Sequence, residues 1–149
     1  MPLYAILAAM SRKSAKIAAL TEPCRGRDLD AHYLGYFECF NRGLFYEAHE
    51  VLENLWLTDR SGPNGSFYKG LIQLAGAFVH LQKDRLRPAR ALFKLARANL
   101  RNYPPLHQRL PVDGTLALID HWLGRLEATD FTGNPLSAES RPRLHLSDP

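Results

Sequence analysis

Apolar positions recur at helical spacing through most of this chain, and the alternating pattern of a half-buried strand is missing. The spacing predicts a first core helix over roughly Asp30 to Arg42, closed by Gly43, a residue type that accepts the left-handed backbone after a helix end. A second follows over about Leu44 to Leu57. The run Ser61-Gly62-Pro63-Asn64-Gly65 breaks the pattern, and a third helix covers about Ser66 to Lys83. A fourth starts near Pro88, where a missing N–H costs nothing, and ends near Tyr103, ahead of Pro104 and Pro105. A fifth, with Asp113 as N-cap, spans about Gly114 to Glu127. Links this short make neighbours antiparallel. The expected fold is all-α, a single compact bundle of about five antiparallel helices.

The two ends read differently. Residues 1–22 stand apart as an N-terminal arm or short helix, and residues 28–128 form the bundle domain. Residues 131–149 carry Pro135 and Pro142 and little apolar content, which suggests an extended or disordered, flexible tail. The apolar run from Leu3 to Met10 precedes Arg12, Lys13 and Lys16, the reverse of the order in a secretory signal. It is also too short to span a bilayer, so no membrane association is expected.

Composition changes this picture little. A chain of 149 residues can bury a core without disulfides or structural metal. Two cysteines, Cys24 and Cys39, give no disulfide framework, which favours a reducing, cytoplasmic setting. A net charge of +4 permits an anionic partner without demanding one.

The chemistry concentrates in the segment Glu47 to Trp56, EAHEVLENLW. On a helical wheel, Leu44, Ala48, Val51, Leu52 and Leu55 form the apolar arc, with Phe45 and Trp56 at one edge. His49 falls just beyond that edge, and Glu53 lies roughly 40° further round, one turn along. Glu47, Glu50 and Asn54 collect on the opposite side, so Glu50 is expected to face solvent or the rim of a cleft. The third helix, Phe67 to Leu81, is apolar over most of its circumference, as in a helix buried mid-bundle. The exception is a stripe of Lys69, Gln73 and His80. A buried polar stripe needs partners, because each unpaired group costs about 1–3 kcal/mol. The nearest candidates in sequence are His49 and Glu53.

Two readings of this constellation stand. In one, His49, Glu53, Gln73 and His80, with Lys69 and Trp56 alongside, form a hydrogen-bonded network that fixes helix register. In the other, His49, Glu53 and His80 hold one divalent metal ion, zinc first, with a fourth position open to water. A bound metal lowers the pKa of that water toward about 7, and Glu50 could serve as general base from the rim. The spacing HExxE is not the HExxH of zinc proteases. No second Glu-x-x-His helix supports a di-iron centre.

The segments FNRGLFYEAHEVLENLW (Phe40 to Trp56) and FYKGLIQLAGAFVHL (Phe67 to Leu81) resemble the domain-of-unknown-function 309 family. That family shows a glycine, an EAHE-like segment ending in tryptophan, and a GLIQ-type helix with a later histidine. The resemblance covers about Asp30 to Tyr103. His49, Glu50, Glu53 and Trp56 match the first motif, and Gln73 and His80 match the second. It implies a small all-helical fold and, from the description of the family as predicted metal-dependent hydrolases, a hydrolytic site. One departure is Lys83-Asp84-Arg85, where a small Gly-Asn-like turn is expected.

Arg90, Lys94, Arg97 and Arg101 recur on one face of the fourth helix. The stripe could meet RNA, DNA or another anionic partner, or be a solvated face opposite Leu92, Phe93, Ala96 and Leu100. A non-enzymatic module that binds a protein partner is the remaining alternative. No phosphate-binding glycine loop, nucleophile elbow or dinucleotide fingerprint is present. Substrate and partner are not encoded in any motif.

Overall fold

The structure, a computed structural model, describes residues 2–149, with the side chains at positions 7, 10 and 11 set aside. Among the described residues it is mostly helical. Helix α1 spans Leu3–Thr21, α2 Ala31–Asn41, α3 Phe45–Asp59, α4 Gly65–Gln82, α5 Leu86–Leu100 and α6 Val112–Ala128. A short 3-10 turn, Glu22–Cys24, follows α1. A two-stranded antiparallel hairpin, β1 (Leu106–His107) and β2 (Leu110–Pro111), precedes α6.

Helix α4 is the centre. Its Phe78 ring meets Phe40 of α2 at 5.6 Å, Phe45 of α3 at 5.0 Å, Phe93 of α5 at 5.1 Å and Trp122 of α6 at 4.9 Å between centroids. Most of these are edge-to-face pairs, the arrangement favoured by the ring quadrupole. An apolar circumference is what lets one helix be touched from so many sides. Helix α5 comes closest at Gly70, where an added Cβ would lie 2.8 Å from Leu100 Cγ. Of the deeply buried tyrosines, Tyr36 donates its hydroxyl to Leu71 O at 2.6 Å.

The turns follow residue chemistry. Gly43, at φ +76°, ends α2 as the pattern predicts. The α4–α5 turn uses Asp84 at φ 57°, so an aspartate takes the left-handed position expected of glycine or asparagine. In the hairpin, Gln108 and Arg109 both have positive φ, the geometry of a type I′ turn without its usual residues. Asp113 lies inside the first turn of α6 rather than at its cap, where its carboxylate still meets the positive helix end.

The structure adds detail at both ends. Residues 3–21 form one long helix that buries Ile17 and Thr21 on one side of its last turns, while Leu3, Tyr4 and Ile6 are exposed. Beyond α6 the chain has no regular structure, yet it lies against the helices instead of hanging free. Asn41 pins it twice: Nδ2 donates to Leu144 O at 2.8 Å, and Oδ1 accepts from Leu144 N at 2.7 Å. Asn134 donates to Leu81 O at 2.6 Å, and Leu144 is buried. Low apolar content did not prevent docking, because backbone groups on both sides found partners. No described helix is long and apolar enough to cross a membrane.

Candidate functional site

Helices α3, α4 and α5 leave a groove of about 330 Å³ between them. Its polar lining is His49 from α3 and Lys69, Gln73 and His80 from α4; Tyr46, Ile72, Val79 and Leu92 supply apolar walls. The positions on α4 are spaced by four and seven residues, which places them on one face, and the short α3–α4 loop brings His49 alongside. The stripe and the histidine expected to meet it do share one groove.

At its edge, His49 Nε2 lies 2.8 Å from Oε2 of Glu53, which does not itself line the groove, one turn along the same helix, with both side chains about one-third exposed (30% and 35%). The Lys69 ammonium sits 4.4 Å above the Trp56 ring centre, a cation–π contact. Gln73 finds a partner that the sequence did not offer: Asn99 of α5 donates its Nδ2 to Gln73 Oε1 at 2.7 Å. His80 Nδ1 is buried with no hydrogen-bond partner in the protein. Its pKa is lowered, by burial first and then by the charges of Arg85 and Lys83, so the ring is neutral at pH 7. Tyr46 stands at the mouth, its ring 5.7 Å from that of His49. His49 and Glu53 thus pair with each other, while Gln73 and His80 are tied to neither.

Glu50 is placed elsewhere. The expectation that it faces solvent or a cleft rim does not hold: it is 7% exposed, on the far side of α3 beneath α1. Lys16 Nζ donates to its Oε1 at 3.3 Å, and Lys13 Nζ lies 3.7 Å from its Oε2. Lys16 also reaches Glu47 at 3.6 Å. Both lysines keep about half their surface in water (53% and 47%), so the buried carboxylate is neutralised without burying its cations. The wheel correctly set Glu50 opposite the apolar arc. The error lay in assuming that nothing would cover that face.

Among the described residues, no group of three or more histidine, cysteine, aspartate or glutamate side chains is placed to hold a metal ion. His49, Glu53 and His80 therefore do not converge as a ligand set in this arrangement, and Glu53 Oε2 is already engaged by His49. The unpartnered His80 nitrogen has no pair of further histidine, cysteine, aspartate or glutamate donors placed beside it among the described residues.

The basic stripe is partly spent on α6. Arg97 Nη1 bonds Asp120 Oδ1 at 2.8 Å, and Arg90 lies near Glu127 at 3.9 Å, too long for a hydrogen bond, and against the Phe131 ring. Lys94 is half-buried and Arg101 exposed. A larger cavity, about 590 Å³, lies under the C-terminal segment, but Arg109 there is already bonded to both oxygens of Asp28 at 2.9 and 2.7 Å. Arg27, Glu38 and His145 also line that cavity, so uncommitted polar groups occur there as well as in the groove between α3, α4 and α5.

Residues 33–92 match the sequence profile of a family described as a domain of unknown function (DUF309). The match runs from α2 into α5 and contains every residue that lines the groove, though not Asn99. No curated protein and no solved structure shows a significant match to the chain.

Proposed function

We propose that the groove binds a small organic molecule and that the His49–Glu53 pair moves a proton in a hydrolytic reaction on it. The observation that carries this reading is the 2.8 Å contact between an imidazole and a carboxylate at the edge of a groove that also holds the Lys69 ammonium and the free NH₂ of Gln73. Glu53 accepts the Nε2 proton, which leaves the lone pair on Nδ1 of a neutral ring. A carboxylate in this position also steadies the imidazolium that forms when the ring takes up a proton. His49 is the general base for an attacking water in this scheme. The Lys69 ammonium and the Gln73 amide are donors for the negative oxygen that develops on the substrate.

Glu50 holds α1 to the helices and takes no part in the proton transfer. No step is routed through a metal. A stoichiometric transition metal, absent from a His49→Ala variant, would replace the acid–base scheme with a metal centre, and elemental analysis of untagged protein reads it.

The direct test is hydrolysis of a panel of p-nitrophenyl esters and phosphates by the full chain. A rate above the spontaneous one should disappear in His49→Ala and persist in Glu50→Gln. Equal rates for wild type and His49→Ala would remove the proposal, leaving the constellation as a structural network inside an interaction module.

A further inference from the structure

The four residues of α4 that matter most to the groove are Lys69, Gln73, Gly76 and His80, at spacings of four, three and four. They lie along one face over the twelve residues from Lys69 to His80, about 16 Å of helix. The groove is therefore long and narrow, with two unlike ends.

The Lys69 end presents donors. The ammonium is held over Trp56 and has no carboxylate within ion-pair distance among the described residues. It is also the one formal charge among the side chains that line the groove. The carbonyl oxygen of Gln73 is taken by Asn99, so what the Gln73 amide has left to offer is its NH₂ group. An acceptor or an anion suits this end. A cation would meet Lys69 at close range with little water between them.

Beyond Gln73 the lining turns apolar. Ile72, Val79 and Leu92 form the walls, and Gly76 lets the Leu92 side chain approach the helix closely, since a Cβ there would lie 3.1 Å from Leu92 Cδ1. The groove closes on the uncharged His80 ring, whose buried Nδ1 has no protein partner. About 330 Å³ is at the small end of ligand sites and suits one slender molecule.

We infer that the groove takes an amphipathic monoanion: a carboxylate-type head bound by Lys69 and Gln73, and an unbranched apolar body that lies along Ile72, Val79 and Leu92 and stops short of the His80 ring. Asn99 is a positioning residue that keeps the NH₂ group of Gln73 turned to the head. The inference rests on the groove being a small-molecule site but concerns binding alone, so it survives or fails separately from the acid–base role of His49.

The test uses the full ¹⁵N-labelled chain titrated with hexanoate, octanoate and decanoate, and with octanol and octylammonium as neutral and cationic controls. Octanoate should shift the Gln73 side-chain amide and the Gly76 amide in a saturable way. Each added methylene should tighten binding about fourfold until the body outgrows the groove. Octanol should bind at least about tenfold more weakly, the worth of one charge-assisted contact. Lys69→Met should bring octanoate down to the affinity of octanol, and Lys69→Arg, which keeps charge and stacking, should hold it within about threefold. Asn99→Ala should narrow the carboxylate-over-alcohol preference while leaving octanol unchanged.

Equal binding of octanoate and octanol overturns the inference, as does indifference to Lys69→Met. Shifts that map under the C-terminal segment overturn it as well. Ester hydrolysis that needs His49 but no binding of any carboxylate would defeat this inference and spare the proposed reaction. Saturable octanoate binding with no hydrolysis would do the reverse.

Discussion

His49 and Glu50 are neighbours in sequence and, about 100° apart on one helix, face different surroundings. His49 is one-third exposed, bonded along its own helix to Glu53, and lines a groove with uncommitted donors. Glu50 is sealed beneath α1, with one oxygen near each of two lysines. The first is a polar group whose surroundings leave it work to do; the second is a charge whose surroundings have used it. A residue's chemistry names what it could do, and the number of partners already held decides whether it is free to do it.

The sharpest way to break this contrast is to exchange the phenotypes. His49→Ala should lower any ester hydrolysis by about 10²–10⁴-fold, the usual worth of a positioned acid–base group, with stability changed by less than about 1 kcal/mol. Steady-state rates and a thermal melt read the two quantities. Loss of folding without loss of rate would make His49 structural and erase the difference.

Glu50→Ala should do the opposite. The clamp on α1 is removed while both lysines regain water, so the cost is about 1–2 kcal/mol, discounted for their exposure, and Tm falls by roughly 2–6 °C. Hydrolysis should be unaffected, and limited proteolysis should cut earliest within α1. A rate lost in step with that of His49→Ala would put Glu50 back among the reacting groups.

Acid reaches two histidines more gently, His80 in the groove and His107 in the hairpin. His80 and His107 both have lowered pKa values, His80 by burial and nearby cations and His107 by burial. The unfolded chain therefore takes up these protons at higher pH than the folded one. Stability should be whole above about pH 6.5, fall as the pH drops below that value, and level off once the folded rings are protonated too. Denaturant midpoints from pH 8 to 5 measure it, and His80→Gln should flatten part of the slope. A midpoint that rises on acidification would contradict both directions.

The smallest effect is expected at the α5–α6 seam. Arg97→Gln removes an exposed pair with Asp120 and should cost no more than about 0.5 kcal/mol, less in high salt. A larger loss would mean that this charge is as fully used as that of Glu50.

Much of the helical layout was legible because periodicity reports burial directly. The expected spans near 30–42, 44–57 and 66–83 correspond to α2, α3 and α4 within about two residues. What periodicity could not report was a second neighbour. The wheel of α3 shows one apolar arc and so one partner; α1 covers the other side with lysines, and paired charge leaves no hydrophobic mark. Gln73 posed the same problem. Its need for a partner was plain, but Asn99 lies inside an amphipathic helix where one short polar residue looks like any other. The hairpin was silent because Gln108 and Arg109 adopt positive φ without the glycine or asparagine that announces it. Of the candidate site, the shared groove and the different facing of His49 and Glu50 were readable, and the burial of Glu50 beneath α1 was not.

The helix that floors the groove is the same one whose Phe78 ring is touched by α2, α3, α5 and α6. Lys69, Gln73 and His80 therefore cannot be displaced by a local opening; only dismantling of the whole helical core would move them. Amide hydrogens of α4 should be among the last in the chain to exchange with deuterated water, at rates set by global unfolding, while those in the first turns of α1 exchange within the dead time. A molecule bound in the groove would then slow exchange across the entire core.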